Sequence, residues 1–376
     1  MHCACRPSTT LGTMKRTSTQ IILGILLLAA CVAGGFLATN AFQKTVPIVP
    51  GLQGCWRLDG SARQVACLSE EFRSGAEESA GDTTGRERDT AVIAYVRRAE
   101  KLAAGDSRLA GTCHPAMHQL GRDEGSRAAA EERVPTYPGG STQLCTAGYT
   151  HGLSEGYLED TPDADVAAVF PKLCHETASR GGCAHGIGHA LLRAQPGGSV
   201  DSSTAALDRC GALPDAWPSD CLDGVYMELA MRTRPEPVPV ADYAKVCGAA
   251  ADVDRELSCW GYLGLSLTSN DVATEDVPGW CAKASVPGQF PCIEGYGRDI
   301  GAKEVSRCGE RGIGRAALQQ RCIDGAIGLQ VGSGHVSDDE ASSACDDLDA
   351  AALVKYCRSA VERYAAGRAG TASAVA

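Results

Sequence analysis

The sequence predicts an all-α protein: an array of disulfide-stapled αα-hairpin repeats, solenoid-like, behind an N-terminal transmembrane or signal helix. Three observations carry this. Cys145, Cys183, Cys221 and Cys259 follow one another at intervals of 38 residues, and Cys292, Cys322 and Cys357 continue the series at 33, 30 and 35. A glycine stands three positions after Cys145, Cys183, Cys221, Cys292 and Cys322, with Gly261 one place early after Cys259. From Cys183 onward each of these cysteines is also preceded by another: Cys174, Cys210, Cys247, Cys281, Cys308 and Cys345. A period of 30 to 38 residues with little strand-like alternation marks stacked helical hairpins, each touching mainly its neighbours.

Taken in order, the chain begins with a basic segment. Residues 1–20 hold Arg6, Lys15 and Arg16 and no acid, so they are expected to stay cytoplasmic. Ile21 to Ala38 runs eighteen residues without a charge, the minimum for a membrane-spanning helix. Residues 21–38 are therefore read as a single-pass transmembrane or signal anchor, with the main domain outside the cytoplasm. Two alternatives export the chain as well. Leu28-Ala29-Ala30-Cys31 resembles a lipoprotein cleavage box with Cys31 bearing the lipid, and Thr39-Asn40-Ala41 permits cleavage and secretion. Met14, followed by Lys15 and Arg16, would open a conventional signal on its own.

Residues 39–90 read as a linker, in which Cys55 and Cys67 bracket a small loop and Glu70 to Thr90 form a polar, flexible spacer. Residues 91–144 read as an N-terminal helical region with a His-x-x-x-His pair. Val92, Ile93, Val96 and Leu102 fall near helical spacing within Asp89 to Ala104. A second helix is expected from Thr112, which would cap it and leave Pro115 in the first turn; it carries His114 and His118. Residues 145–366 are the helical-repeat domain. The first helix of each unit begins near its repeat cysteine, with Ser219 as the cap before Cys221, and ends at breakers such as Pro162 or Pro196-Gly197-Gly198. The second, shorter helix carries the preceding cysteine near its end, as in Val240 to Cys247. Residues 367–376 read as a flexible tail.

Cysteine use supports export independently. Of nineteen cysteines, Cys3, Cys5 and Cys31 precede or lie in the apolar run, which leaves an even sixteen beyond it. These are Cys55, Cys67, Cys113, Cys145, Cys174, Cys183, Cys210, Cys221, Cys247, Cys259, Cys281, Cys292, Cys308, Cys322, Cys345 and Cys357, all disulfide candidates in an oxidising compartment. A bridge closing about a dozen residues stabilises by roughly 3 kcal/mol in the chain-entropy model. The expectation is that each bridge staples one hairpin to the next. Pairing within a hairpin, such as Cys183 with Cys210, also brings helix ends together, so spacing leaves both open. Cys113 with Cys145 is the odd couple, closing a longer loop.

Net charge is −11, with the N-terminal cations counted in. No basic stripe interrupts the acidic remainder, which excludes phosphate-backbone binding and hence nucleic acid. Hairpin units of this length, with one cysteine closing the second helix and another opening the next, resemble disulfide-stapled Sel1-like repeats, relatives of the tetratricopeptide class, over roughly Cys145 to Cys357. Cys221-Leu222-Asp223-Gly224 lacks that family's usual Leu-Gly core pattern. The resemblance implies an interaction scaffold and carries over no functional residue.

The histidines depart from the repeat. Seven follow the apolar run; six fall between His114 and His189, and His335 stands alone. Two positions after the opening cysteines stand Ala147, His185, Asp223, Gly261, Glu294 and Asp324; six positions after stand His151, His189, Met227, Leu265, Arg298 and Gly328. Such positions share a helix face, so His151, His185 and His189 should lie on adjacent repeats, with Glu155 on the same face and His114 and His118 just upstream. Neutral imidazoles in a compact cluster suit Zn²⁺ or Cu²⁺, and a carboxylate can complete the shell. The candidate metal ligands are therefore His114, His118, His151, His185, His189 and Glu155. The acidic residues Asp223, Glu294 and Asp324 along the repeat face read as solvated or as contacts for a cationic partner, and Arg298 is a further polar residue of that face. Met227 and Leu265 read as packing residues, as do Trp217, Trp260 and Trp280 near the staples. No phosphate-cradling loop, His-Glu-x-x-His helix or Cys-x-x-Cys redox motif occurs, so no enzyme class is indicated.

Two functions fit. One is an envelope-anchored, extracytoplasmic cysteine-rich repeat protein with a histidine site for zinc or copper. The other is a non-enzymatic scaffold without metal that holds another envelope protein or a peptide on its repeat face.

Overall fold

The computed structural model describes residues 51–373, apart from 59–60, 104–106, 140–143, 160–164, 176–179, 195–199, 215–216, 232–237, 311–312, 333 and 335. The segments expected at 1–20 and 21–38, and His335, lie outside the described residues. Among the described helices none is long and apolar enough to cross a membrane. Every regular element described is helical, without a strand. Residues Gln53–Ala376 form a compact unit of their own.

The helices are α1 (Ser61–Ala80), α2 (Gly85–Ala103), α3 (Ser107–Ala130), α4 (Leu144–Glu159), α5 (Val166–Leu173), α6 (Arg180–Arg193), α7 (Val200–Gly211), α8 (Trp217–Met231), α9 (Val240–Gly248), α10 (Val253–Leu265), α11 (Val277–Cys281), α12 (Val286–Ile300), α13 (Ala316–Gly332), α14 (Asp338–Ala344) and α15 (Ala351–Ser373), with a 3₁₀ segment at Ala302–Gly309. The long helices α3, α4, α6, α8, α10, α12, α13 and α15 pack each against the next in chain order. The short elements fall between them and bring up the cysteine that precedes each repeat cysteine. Sequence explains where several of them start. Asp165 caps α5 through the Ala167 and Ala168 amides, Asp252 caps α10 through the Arg255 amide, and Ser337 with Glu340 forms a capping box on α14.

All sixteen candidate cysteines are paired. Cys174–Cys183, Cys210–Cys221, Cys247–Cys259, Cys281–Cys292, Cys308–Cys322 and Cys345–Cys357 each tie a short element to the long helix that follows. Cys55–Cys67 closes the small N-terminal loop and Cys113–Cys145 joins α3 to α4. The between-hairpin staple is thus the one adopted.

The repeat glycine explains how close the long helices come. A Cβ at Gly148 would meet the His114 carbonyl oxygen; at Gly186, that of His151; at Gly224, that of His185; at Gly295, that of Gly261; and at Gly325, that of Glu294. Each glycine three places after an opening cysteine therefore lies against the backbone of the preceding long helix, where no side chain fits. Cα–H···O contacts of this kind recur at tight helix–helix interfaces. The apolar residues fill the remaining volume, with Trp260, Tyr149, Tyr226, Tyr243 and Tyr296 among the largest fully buried side chains. Trp260 packs in the core as expected, whereas Trp217 and Trp280 lie under the cations of Arg180 and Lys283.

Five expectations change. Residues 70–90 are not a spacer: α1 and α2 occupy most of that stretch. Phe72 meets the Tyr95 ring edge-on, and the Arg88 guanidinium, 4% exposed, bridges Glu77 and Glu124. Charged composition concealed a buried ion pair whose partner lies 36 residues away. The stack begins at α3 rather than at Cys145, because α3 packs along α4. Pro115 sits inside α3, not in its first turn, and Ser219 lies inside α8 instead of capping it. The segment from 367 is helical as far as Ser373.

The glycine contact predicts a sharp asymmetry. Gly224→Ala should destabilise residues 45–376 by about 1–3 kcal/mol through overpacking. Gly248→Ala, with nothing within 4 Å of its Cβ position, should be neutral or stabilising by up to about 1 kcal/mol. Urea denaturation of the two variants checks both.

Candidate functional site

Three helices bring the five predicted histidines together. α3 supplies His114 and His118 at i,i+4, α4 supplies His151, and α6 supplies His185 and His189 at i,i+4. The same glycines that set the stack fix these backbones. Gly148 lies on the His114 carbonyl, Gly152 on that of His118, Gly186 on that of His151 and Gly224 on that of His185. With the helices held backbone to backbone, the imidazoles have no room to separate. His151 stacks on His185 at 4.5 Å between ring centroids. His114 meets His151 at 5.2 Å, His185 meets His189 at 4.9 Å, and His118 reaches His189 at 5.2 Å. His175, the sixth histidine of the group, stays outside the cluster with its Nδ1 3.1 Å from the Lys172 carbonyl.

The cluster is nearly closed to solvent: the His118 side chain is 15% exposed and that of His189 6%. Its polar surroundings come from residues that sequence reasoning did not single out. Glu228 accepts a hydrogen bond from His189 Nδ1 at 3.0 Å and another from Arg193 Nε at 2.9 Å. Glu155 is fully buried, with one oxygen 3.2 Å from His118 Nδ1 and the other 2.6 Å from Arg193 Nη1 and 3.0 Å from Arg122 Nε. These Glu155 contacts are off the hydrogen-bonding axes, since both of its oxygens and Arg122 Nε lack a hydrogen-bond partner; those with Arg122 and Arg193 act as ion pairs. The signal that could have found Arg193 was its register: Glu155 and Arg193 both stand ten positions after an opening cysteine.

The Glu228 carboxylate, hydrogen-bonded to His189 Nδ1, orients that ring. A carboxylate on one ring nitrogen orients the imidazole and raises the donor strength of the other. His185 directs Nε2 at the Met227 thioether, 3.3 Å away. His151 Nδ1 is buried with no hydrogen-bond partner at all, a condition that costs about 1–3 kcal/mol when nothing compensates it. As the rings stand, no group of three or more His, Cys, Asp or Glu side chains among the described residues is set to hold a metal ion.

Burial lowers the pKa of His118, His151 and His185 well below the ordinary imidazole value, and the neighbouring histidines push in the same direction. These rings are neutral at physiological pH, the state a metal requires. Burial also pushes the Glu155 carboxyl up to about 7, against the pull of Arg193 and Arg122. Burial would raise Glu228 too, but the hydrogen bond from His189 and the charge of Arg193 outweigh it, and its pKa falls.

No family model, curated protein or solved structure matches this chain. Its site is therefore read from its own geometry.

The polar residues farther along the repeat face have a structural employment. Asp223 accepts from the Ser258 hydroxyl. Glu294 pairs with Arg298 at 2.8 Å and lies 3.5 Å from Arg321. Asp324 accepts from Tyr356 at 2.7 Å and Arg363 at 3.0 Å. Ser258, Arg321 and Tyr356 each stand immediately before the next opening cysteine, so these acids link one repeat to the next. Each of the three acids thus has a partner within the chain, while Arg298 remains 47% exposed.

A pH dependence follows from these shifts. An imidazole whose folded pKa is depressed gives stability that is complete above its unfolded value, about 6.5, and is lost as pH falls below it. Three such rings oppose one carboxyl, Glu155, whose raised pKa acts in the opposite sense between about 4.5 and 7. Within this cluster the imidazoles outweigh the carboxyl, so the unfolded chain takes up more protons at these groups as pH falls below about 6.5, and stability declines. Urea unfolding of residues 45–376 with chelator present, at steps from pH 7.5 to 5.5, should show stability falling on the acid side. A flat profile would contradict neutral buried imidazoles.

Proposed function

We propose that the chain is an envelope-anchored, extracytoplasmic protein whose stacked, disulfide-stapled helical hairpins carry a histidine metal centre for zinc or copper. The observation that carries the proposal is the cluster itself: five imidazoles in mutual contact, one with a buried nitrogen that finds no partner. Packing several weak bases together out of water works against stability, and a bound cation converts that liability into binding energy. His189 donates Nδ1–H to the Glu228 carboxylate, the outer-sphere arrangement that supports metal-bound imidazole, and the Glu155 carboxylate lies 3.2 Å from His118 Nδ1. The eight disulfides fit an oxidising compartment. They also leave the sixteen paired cysteines without thiolates to compete for the ion. Anchorage through residues 21–38 rests on their uncharged length, and the hairpin array on the cysteine period and the chain-order packing of long helices.

Bound there, zinc or copper would supply Lewis acidity or structural cross-linking. His114, His118, His151, His185 and His189 would hold it, Glu155 and Glu228 would orient the rings, and Arg122 and Arg193 would keep those carboxylates in place. The competing reading is a metal-free scaffold of Sel1-like kind, favoured by the ring contacts, since the 4.5 Å stack of His151 on His185 is a satisfactory packing arrangement in its own right.

Elemental analysis of residues 45–376, purified without an affinity tag or chelator, distinguishes the two. Near-stoichiometric zinc or copper is expected, lost in the His185→Ala, His189→Ala double variant. At a free metal concentration a hundred times the Kd, the ion should add about 2.7 kcal/mol to the unfolding free energy. Protein that stays metal-free after incubation with either ion, with stability unchanged, would favour the scaffold.

A further inference from the structure

Resting on the metal reading just given, we infer that the centre is built for copper in its cuprous state, with the Met227 thioether as a ligand beside His185. Met227 stands on α8 six positions after Cys221, the register of His151 and His189 in their own repeats. The histidine face is thus continued by a thioether where the imidazoles stop. Its sulfur lies 3.3 Å from His185 Nε2. A nitrogen and a sulfur sharing one ion at bond lengths of about 2.0–2.1 and 2.3 Å are separated by roughly 3.3–3.6 Å. The two atoms are therefore already at the separation of a common coordination edge.

Ligand chemistry narrows the ion. Imidazole suits zinc and copper alike, so the histidines do not choose between them. Thioether sulfur is soft and neutral, and it selects Cu(I) over harder divalent ions. The described cysteines are all disulfide-bonded, so Met227 supplies the soft donor that cysteine supplies elsewhere. The neighbouring residue on α8, Glu228, orients His189 through Nδ1. One turn of α8 thereby provides both a ligand and the support for another. The +6 positions of α10 and α12, Leu265 and Arg298, offer no donor of this kind, which places the end of the site at α8.

The test is an anaerobic titration of the intact oxidised protein with Cu(I), supplied as its acetonitrile complex without thiol reductant, against a chromogenic Cu(I) chelator. A parallel titration uses Zn(II). Met227→Leu keeps the side-chain volume, and Met227→Gln provides a second variant should leucine perturb the packing. The wild type should hold Cu(I) against the chelator, and both variants should weaken Cu(I) by at least roughly tenfold more than they weaken Zn(II). Equal effects on both ions, or none on either, would remove Met227 from the ligand set. Binding of zinc without Cu(I) would overturn the copper assignment and leave the metal centre standing. Failure to bind either ion would overturn both.

Discussion

Backbone contact between glycine and the carbonyl oxygen of the preceding long helix is the constraint on which the rest of the molecule depends. A residue with a Cβ in those positions would have to displace main chain, and main chain in a helix does not yield cheaply. Once consecutive helices are held at that distance, the disulfide at the head of each one fixes its register. The staple ties the end of a short element to a point three residues ahead of the contacting glycine. Covalent closure and close packing thus act on the same turn of each repeat. Neither would define the geometry alone, because a bridge between flexible segments permits rotation and a glycine face permits sliding.

The candidate site inherits its geometry from this arrangement. The carbonyl oxygens of four of its five histidines form the glycine contacts, so the residues that set the fold are the same ones that carry the imidazoles. Contact at the backbone forces contact at the rings. The surrounding charges then do a separate job. Arg193 reaches from α6 to both Glu155 and Glu228, and those carboxylates face His118 and His189. A single guanidinium therefore connects the supports of two rings that come from different helices. Elsewhere in the stack the corresponding positions are used to join repeats through Asp223, Glu294 and Asp324, which shows the same surface serving as structural glue once the histidines end.

Much of this was legible in the sequence, and for identifiable reasons. The cysteine period exposed the repeat because a covalent staple must recur at the same place in each unit. Alignment by cysteine then brought His151, His185 and His189 into one register. The sequence hid what depends on distant partners. Residues 70–90 looked like a spacer because Arg88, Asp89 and Glu77 are charged; their buried pairings with Glu124 and Arg133 have no local signature. Glu155 shares a face with His151, but its pairing with Arg122 and Arg193, on flanking helices, has no local signature either. Met227 looked like packing because nothing in a linear alignment distinguishes a thioether that fills space from one aimed at an imidazole nitrogen.

The account's central claim is that glycine-set helix packing builds a multi-histidine metal centre. X-ray absorption on the zinc-loaded protein tests it most directly. The account predicts a first shell of nitrogen at about 2.0–2.1 Å with the outer-shell scattering of three or more imidazoles, diminished in the His185→Ala, His189→Ala variant. A zinc shell of oxygen with no imidazole scattering, unchanged in that variant, would contradict it.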